Sequence, residues 1–343
     1  YKVIIISPFP PPFGGIASYA DNLFKGLVEQ KINVEKFDLS RFDHLRFSNP
    51  DQKRNYIRIL NPRNFLFISL IILDYFLFII KIIFKKNLVI HIHTSSFFGW
   101  WRSALFVAIA RLFGKKTILH VHNAIDRFYI NESGKVGKFL IRLSLRLPDE
   151  IISLSDVIKK LLSSLTDVQI TPIYNGVDTK KFLNQKEYSK PYKMLFAGFV
   201  GQAKGVGDIM KALKKANLSK KDILLTIMGG GDIDEMKQLR NKLGLDGQVK
   251  FTGRISEDEK IAIFKSHHIF TLPSYGEGQP ISILEGMASG MAILSTNVGS
   301  IPEIIKKENG KIVNPGDIDE LARAITMFTF KSDLSDYGKI NEK

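Results

Sequence analysis

Cysteine is absent from the 343 residues. That excludes a disulfide framework, a thiolate metal site and a cysteine nucleophile. Acidic side chains are in deficit, with Asp+Glu 34 against Lys+Arg 49 and a formal net charge of +15. The deficit is lopsided. Residues 1–185 carry 26 basic and 14 acidic side chains, a net +12, and residues 186–343 carry only the remaining +3. So uneven a field suits a polyanionic partner, whether nucleic acid, anionic lipid or a phosphorylated ligand. No short-period repeat and no low-complexity tract is visible. Hydrophobic residues at 45% and charged residues at 24% are ordinary globular composition. The length predicts about two domains.

Long apolar runs are also scarce. Residues 2–7 form a run too short for a signal peptide, and Pro8, Pro10, Pro11 and Pro12 break it. It reads as a buried parallel strand followed by a loop. The exception is 65–84, FLFISLIILDYFLFIIKIIF, which has the length to span a bilayer. Asp74 and Lys81 within it would each cost about 2.5–3.5 kcal/mol at a helix centre. A span would also place strands on both sides of the membrane. On a helical wheel Asp74, Lys81 and Lys85 lie within about 40° of one another, giving a narrow polar stripe and a wide apolar face. The expectation is a helix that packs on a sheet, or one whose outer apolar surface also dips into a membrane interface.

Short β-branched runs alternate with helical patterns along the rest of the chain, which predicts βαβ units and parallel sheets in an α/β fold. Strands are expected at 3–7, 34–38, 88–93, 117–121, 150–153 and 170–173. A second series is expected at 194–197, 223–228, 249–252, 269–272 and 292–295. Polar residues from Asn184 to Tyr192 separate the series. We therefore expect an N-terminal domain over 1–185, a C-terminal domain over 186–330 and a tail over 331–343.

In open α/β sheets ligands bind at the carboxyl ends of strands, so the loops there carry the functional signal. Gly14-Gly15 opens a helix after the first strand, where backbone N–H groups can approach an anion; a turn with positive φ is the plainer reading. Lys204-Gly205 follows a Gly-rich loop after the strand at 194–197, where the lysine could neutralise a phosphate. Met228-Gly-Gly-Gly231-Asp232 is a third Gly-rich turn. Asp232-Ile-Asp234 looks like a metal–nucleotide motif, but Asp232 and Asp234 read better as a helix cap and a complement to its dipole. The most specific stretch is Ser274-Tyr-Gly-Glu277-Gly-Gln-Pro-Ile-Ser-Ile-Leu-Glu285-Gly-Met-Ala-Ser-Gly290. Glu277 lies in its loop and Glu285 one to two turns into a helix starting near Pro280. Carboxylates bind sugar and ribose hydroxyls as acceptors.

Glu277-x7-Glu285, Lys204-Gly205, Tyr174-Asn-Gly-Val-Asp178 and Gly14-Gly15 together resemble the retaining glycosyltransferases of the GT-B fold, group 1, of the phosphatidylinositol mannosyltransferase and glycogen synthase kind. The resemblance covers essentially the whole chain and is strongest over 194–303. It implies two Rossmann-like domains facing across a cleft. It also implies roles. Glu277 would face the donor sugar's hydroxyls, Glu285 would bind the ribose and Lys204 would hold the donor diphosphate. Gly14 and Gly15 would approach the same phosphates. Gly278, Gln279, Pro280 and Ile281 would supply the helix start of the donor site, while Gly229, Gly230 and Arg254 would lie by the base. His122, in His120-Val-His122-Asn123, matches the histidine beside the transferred sugar. His91 and His93, on a predicted strand, read as structural. Asn175–Asp178 would line the interdomain hinge. Phe199 departs from the family, which usually places there an arginine that joins the lysine on the diphosphate; phenylalanine cannot do this.

The resemblance further implies a metal-independent reaction without a resident cofactor, in accord with the lack of a metal-ligand cluster in the sequence. The donor would be a nucleotide sugar, with UDP-hexose or UDP-N-acetylhexosamine expected. The acceptor would be a lipid-linked saccharide in bacterial surface polysaccharide or glycolipid synthesis, reached by a cytoplasmic protein peripheral on the inner face of the cell membrane. The basic first half, Lys85-Lys86, Lys115-Lys116 and Phe97-Phe98-Gly-Trp100-Trp101 suit that anionic surface. A nucleotide-sugar epimerase of the same fold and a non-enzymatic polyanion binder are the alternatives. Nucleic acid is not an expected partner, since it would leave Glu277 and Glu285 unexplained.

Overall fold

The computed structural model describes residues 1–10, 14–40, 62–122, 125, 127–183, 186–330 and 333–341. Pro11, Pro12 and Asn123 lie outside the described residues. The chain forms two compact units, Tyr1–Tyr174 and Asn175–Lys343. Each contains a sheet of six parallel strands flanked by helices.

In the first unit the strands are β1 (Lys2–Ser7), β2 (Val34–Asp38), β3 (Leu88–Thr94), β4 (Lys116–Val121), β5 (Glu150–Ser153) and β6 (Ile170–Pro172). Their order is β2-β1-β3-β4-β5-β6. In the second unit they are β7 (Tyr192–Ala197), β8 (Ile223–Met228), β9 (Val249–Gly253), β10 (Ile269–Leu272), β11 (Ala292–Thr296) and β12 (Gly310–Val313). Their order is β12-β11-β10-β7-β8-β9. Both sheets are doubly wound, so each has a switch point where the chain changes direction across the sheet. It falls between β1 and β3 in the first unit and between β7 and β10 in the second.

The two-residue period of the strands decides which side chains meet which helices. Ile4, Ile6, Ile90, Ile92, Leu119 and Val121 pack with Phe78, Phe106 and Ile141 from the helices Pro62–Ile83, Phe98–Leu112 and Lys135–Ser144. Ile5 points the other way, to Ala20 of the helix Gly15–Glu29. His91, His93 and His120 alternate with the isoleucines and leucines and so lie on this second face.

The structure shows which way the polar stripe of the helix Pro62–Ile83 faces. Asp74 points inward. It shares the inner face with Phe78 and Ile82, is 2% exposed, and pairs with Arg102. Lys81 and Lys85 reach Glu35 Oε2 on β2 at 3.1 and 3.5 Å. The hydrogen bond from Lys2, together with these lysines, holds the Glu35 carboxyl at about 2. The outward side is the apolar one: Ile68, Ile72, Phe76 and Ile80 form an exposed i, i+4 stripe. No helix among the described residues is long and apolar enough to cross a membrane.

The units divide earlier than the polar stretch at 184–192 suggested. Phe182 sits in the core of the second unit, 5.6 Å from the Phe264 ring, and Asn175 is hydrogen-bonded to Gln279. Composition marked the polar stretch, but burial of an aromatic ring decides membership. The expected tail is likewise part of the second unit. Leu334 of the helix Leu334–Asn341 is buried, and Asn341 Nδ2 donates to the carbonyls of Met291 (2.8 Å) and Asn309 (2.9 Å).

Candidate active site

In the second unit the loops after β7 and β10 flank the switch point, and each owes its path to a glycine. Gly205, with φ +71°, caps the helix Val206–Lys215; a Cβ there would lie 2.2 Å from the Pro273 carbonyl oxygen. Only glycine lets the two loops come this close. The backbone hydrogen bond from Tyr275 N to Ala203 O (3.1 Å) fixes the approach. The Tyr275 hydroxyl donates to Asp208 Oδ2 in the first turn of that helix (2.7 Å). That bond pushes the tyrosine up to about 12.

Lys204 and Glu277, 73 positions apart, meet across the switch point at 2.5 Å. Ser274 Oγ donates to the same Glu277 oxygen at 2.6 Å. The Glu277 loop is held from behind: Ser300 donates to the Gly278 carbonyl through its N–H (3.0 Å) and its hydroxyl (2.7 Å). The helix Ile281–Ala288 then begins at Pro280 without a side-chain cap. The first N–H groups of a helix have no intrahelical partner and carry its positive end, which suits an anion.

Glu285 is the fifth residue of that helix and is 9% exposed. Its burial raises the carboxyl above its ordinary value, opposed by Lys260. Lys260 Nζ donates to Glu285 Oε1 at 2.7 Å and to Glu257 at 3.0 Å. A buried carboxylate needs such a counter-ion. Sequence reading missed Lys260 because it follows Glu257-Asp258-Glu259 at the start of the helix Glu257–Ser266, where a charge run looks like an ordinary solvated face.

Gln279 spends its polar groups within the unit. Its side-chain oxygen accepts from Asn175 N, and its carbonyl accepts from Asn175 Nδ2 at 2.7 Å. Gly229 and Gly230 form the turn after β8, and the Arg254 side chain lies over Gly230, so that a Cβ at 230 would come within 2.6 Å of Nε. Phe199 covers the same turn, 3.1 Å from where a Gly231 Cβ would stand. Asp232 occupies the cap position of the helix Ile233–Leu243, but its side chain makes no cap hydrogen bond. The expected cap is thus supplied in position only: φ of −83° and ψ of 52° are not the extended backbone of a side-chain cap. Asp234 lies in the first turn, favourable to the dipole.

In the first unit Gly14 is the extended cap residue of the helix Gly15–Glu29, with no side-chain cap and open space around both glycines. His122 follows β4 and is buried; His93 Nδ1 and His122 Nε2 share a hydrogen bond of 2.8 Å. His91 Nε2 faces His120 Nδ1 at 3.3 Å. Burial lowers His91 to about 4 and His122 to about 3, so these imidazoles are neutral at pH 7. Three side chains of a type that can ligate a metal, two on β3 and one on β4, come together as a cluster in space. His91, His93 and His120 offer ring nitrogens all within 4.8 Å of one another. Strand pairing creates it, setting His93 opposite His120.

Comparison with known families accounts for nearly the whole chain. Residues 13–181 match the Glycosyltransferase Family 4 model and residues 178–337 match Glycosyl transferases group 1. The chain belongs to the group 1 glycosyltransferases. An uncharacterized glycosyltransferase of Methanocaldococcus jannaschii is 26% identical over 362 residues, 94% of this chain and 88% of the relative. The phosphatidyl-myo-inositol mannosyltransferase of Mycolicibacterium smegmatis is 25% identical over 181 residues, 51% of this chain and 46% of its own. Among solved structures, the sucrose-phosphate synthase of Thermosynechococcus elongatus has a TM-score of 0.76 at 19% identity, over 99% of this chain and 93% of that one. The fold of this glycosyltransferase is therefore GT-B.

Proposed function

We propose that this glycosyltransferase moves a hexose or N-acetylhexosamine, with retention, from a nucleotide sugar to a lipid-linked saccharide at a membrane surface. The Lys204–Glu277 pair at the switch point carries the reading. It supplies a cation for a diphosphate and, beside it, an acceptor for sugar hydroxyls. UDP is the expected nucleotide, with no resident cofactor. As the C1–O bond breaks through an oxocarbenium-like state, charge builds on the leaving diphosphate. Lys204 and the N–H groups at the Ile281 helix start then stabilise it electrostatically, without a bound metal. The departing phosphate takes the acceptor proton. Glu285, oriented by Lys260, accepts from the ribose hydroxyls. Gly14, Gly15 and His122 are assigned to the same reaction from the first unit. Incubation with UDP-, GDP- and ADP-sugars tests this reading: hydrolysis of one class with retained anomeric configuration supports it, whereas an epimerised donor or no turnover of any class overturns it.

The surface of the first unit supports the acceptor half. Beside the Ile68–Ile80 stripe, the helix Lys135–Ser144 exposes Val136, Phe139, Leu140 and Leu143, with Lys135 and Arg142 also exposed. Apolar side chains flanked by cations suit an anionic lipid surface. Both helices pack against the helix Phe98–Leu112: Tyr75 lies on Phe106 at 4.6 Å, and Trp100 Nε1 donates to Ser144 Oγ at 3.0 Å. The protein is expected to sediment with anionic liposomes and to be released by high salt. Burial of one Phe is worth about 1.5–3 kcal/mol, so Phe76→Ser and Phe139→Ser should each weaken partitioning about tenfold. Equal partitioning of wild type and both variants, or none at low salt, would remove the membrane from the account.

A further inference from the structure

We propose that His91, His93 and His120 form a binding site for one divalent transition-metal cation of the zinc class, held inside the first unit. The three imidazoles project from adjacent strands onto the face covered by the helix Gly15–Glu29, and all are buried. Tyr19 of that helix lies over the cluster, its ring 5.7 Å from His93 and 5.1 Å from His120.

Mutual hydrogen bonding leaves this group incomplete. The cluster contains two imidazole pairs, His93–His122 and His91–His120. On both His93 and His120 the Nδ1 atom faces a neighbour, while the buried Nε2 atom has no hydrogen-bond partner among the described residues. A neutral imidazole that gives its Nδ1 proton to a neighbour keeps a lone pair on Nε2. That is the arrangement of a metal-ligating histidine, oriented through its other nitrogen. His122 serves in that orienting role for His93, and its backbone N–H is fixed to the Thr94 carbonyl at 3.1 Å.

Donor type selects the metal. Neutral imidazoles suit zinc, cobalt, nickel and copper, whereas magnesium and calcium take oxygen ligands. Zn–N bonds of about 2.0–2.1 Å put tetrahedral ligand nitrogens about 3.3 Å apart. The cluster nitrogens lie within 4.8 Å of one another, so modest ring rotations close the site. Such a cation ties β3 to β4 at the centre of the sheet, a structural role, and through His93 it also fixes His122, which the proposed reaction uses.

The test uses the full chain, stripped with chelator and titrated with Co2+ and then Zn2+. We expect one Co2+ per chain with the visible absorption of a tetrahedral nitrogen site, displaced by Zn2+, and a Zn2+-dependent rise in melting temperature. His91→Gln and His93→Gln should each lose affinity at least tenfold, while His268→Gln in the second unit should bind as the wild type does. The wild-type spectrum decides the matter even if a variant fails to fold. Absence of a stoichiometric tetrahedral Co2+ signal overturns the proposal, as does undiminished binding in folded His91→Gln and His93→Gln.

Discussion

Lys204→Ala is expected to lower kcat/KM for glycosyl transfer by about 10²–10³-fold, the usual cost of removing one preorganised group from a developing anion. The melting temperature should move little. The lysine side chain is partly exposed, and exposed ion pairs contribute about 0–1 kcal/mol. Glu277→Gln separates the two halves of the pair. It keeps the shape and part of the hydrogen bonding to Ser274 but removes the charge that Lys204 now faces. If Glu277 receives sugar hydroxyls, transfer falls in Glu277→Gln while affinity for the nucleotide diphosphate alone is kept. Transfer at wild-type rate in Lys204→Ala would remove the lysine from the reaction.

Gly299→Ala should produce a comparably large loss without touching any side chain assigned to chemistry. Gly299 has φ +55°, and a Cβ there would stand 2.0 Å from the Glu277 carbonyl oxygen and 3.0 Å from that of Gly278. Left-handed backbone costs a non-glycine residue about 1–2 kcal/mol, and overpacking adds about 1–3 kcal/mol. The Gly278 carbonyl, pinned by Ser300, cannot yield without moving the loop. We expect about 3 kcal/mol of lost stability together with impaired transfer. Gly244→Ala is the control. Its φ is +68°, with open space around the added Cβ, so it carries the backbone cost alone. Equal stability and activity in the two variants would show that the Glu277 loop is not held by this contact.

The positions of the strands along the chain and the loops that carry the glycines were legible in the sequence because both rest on local signals. Each of the eleven expected strands overlaps an observed one. The twelfth, Gly310–Val313, begins with glycine and contains Lys311, so neither β propensity nor period marked it. Partnerships at a distance were not legible. Lys260 looked like part of a charged helix face, and only folding brings it to Glu285, 25 positions later. Asp74 and Arg102 are 28 positions apart, and the partner that lets Asp74 sit on the inner face could not be read from the helix alone. The four histidines share one face of the sheet because β3 and β4 pair in register with His93 opposite His120, which strand periodicity alone does not specify. Phe199, where the family usually has arginine, lies against the Gly-rich turn, and nothing in the structure explains the exchange.

The central claim is that the second unit holds a nucleotide-sugar donor through the groups around its switch point. Calorimetric titration of UDP-hexose and UDP-N-acetylhexosamine into the wild type and Glu285→Ala tests it most directly. Removing a polar partner from a desolvated site costs about 1–3 kcal/mol, so the account predicts saturable one-to-one binding that weakens about tenfold or more in the folded variant. Equal affinity in both proteins, or no binding of either donor to the wild type, would contradict it.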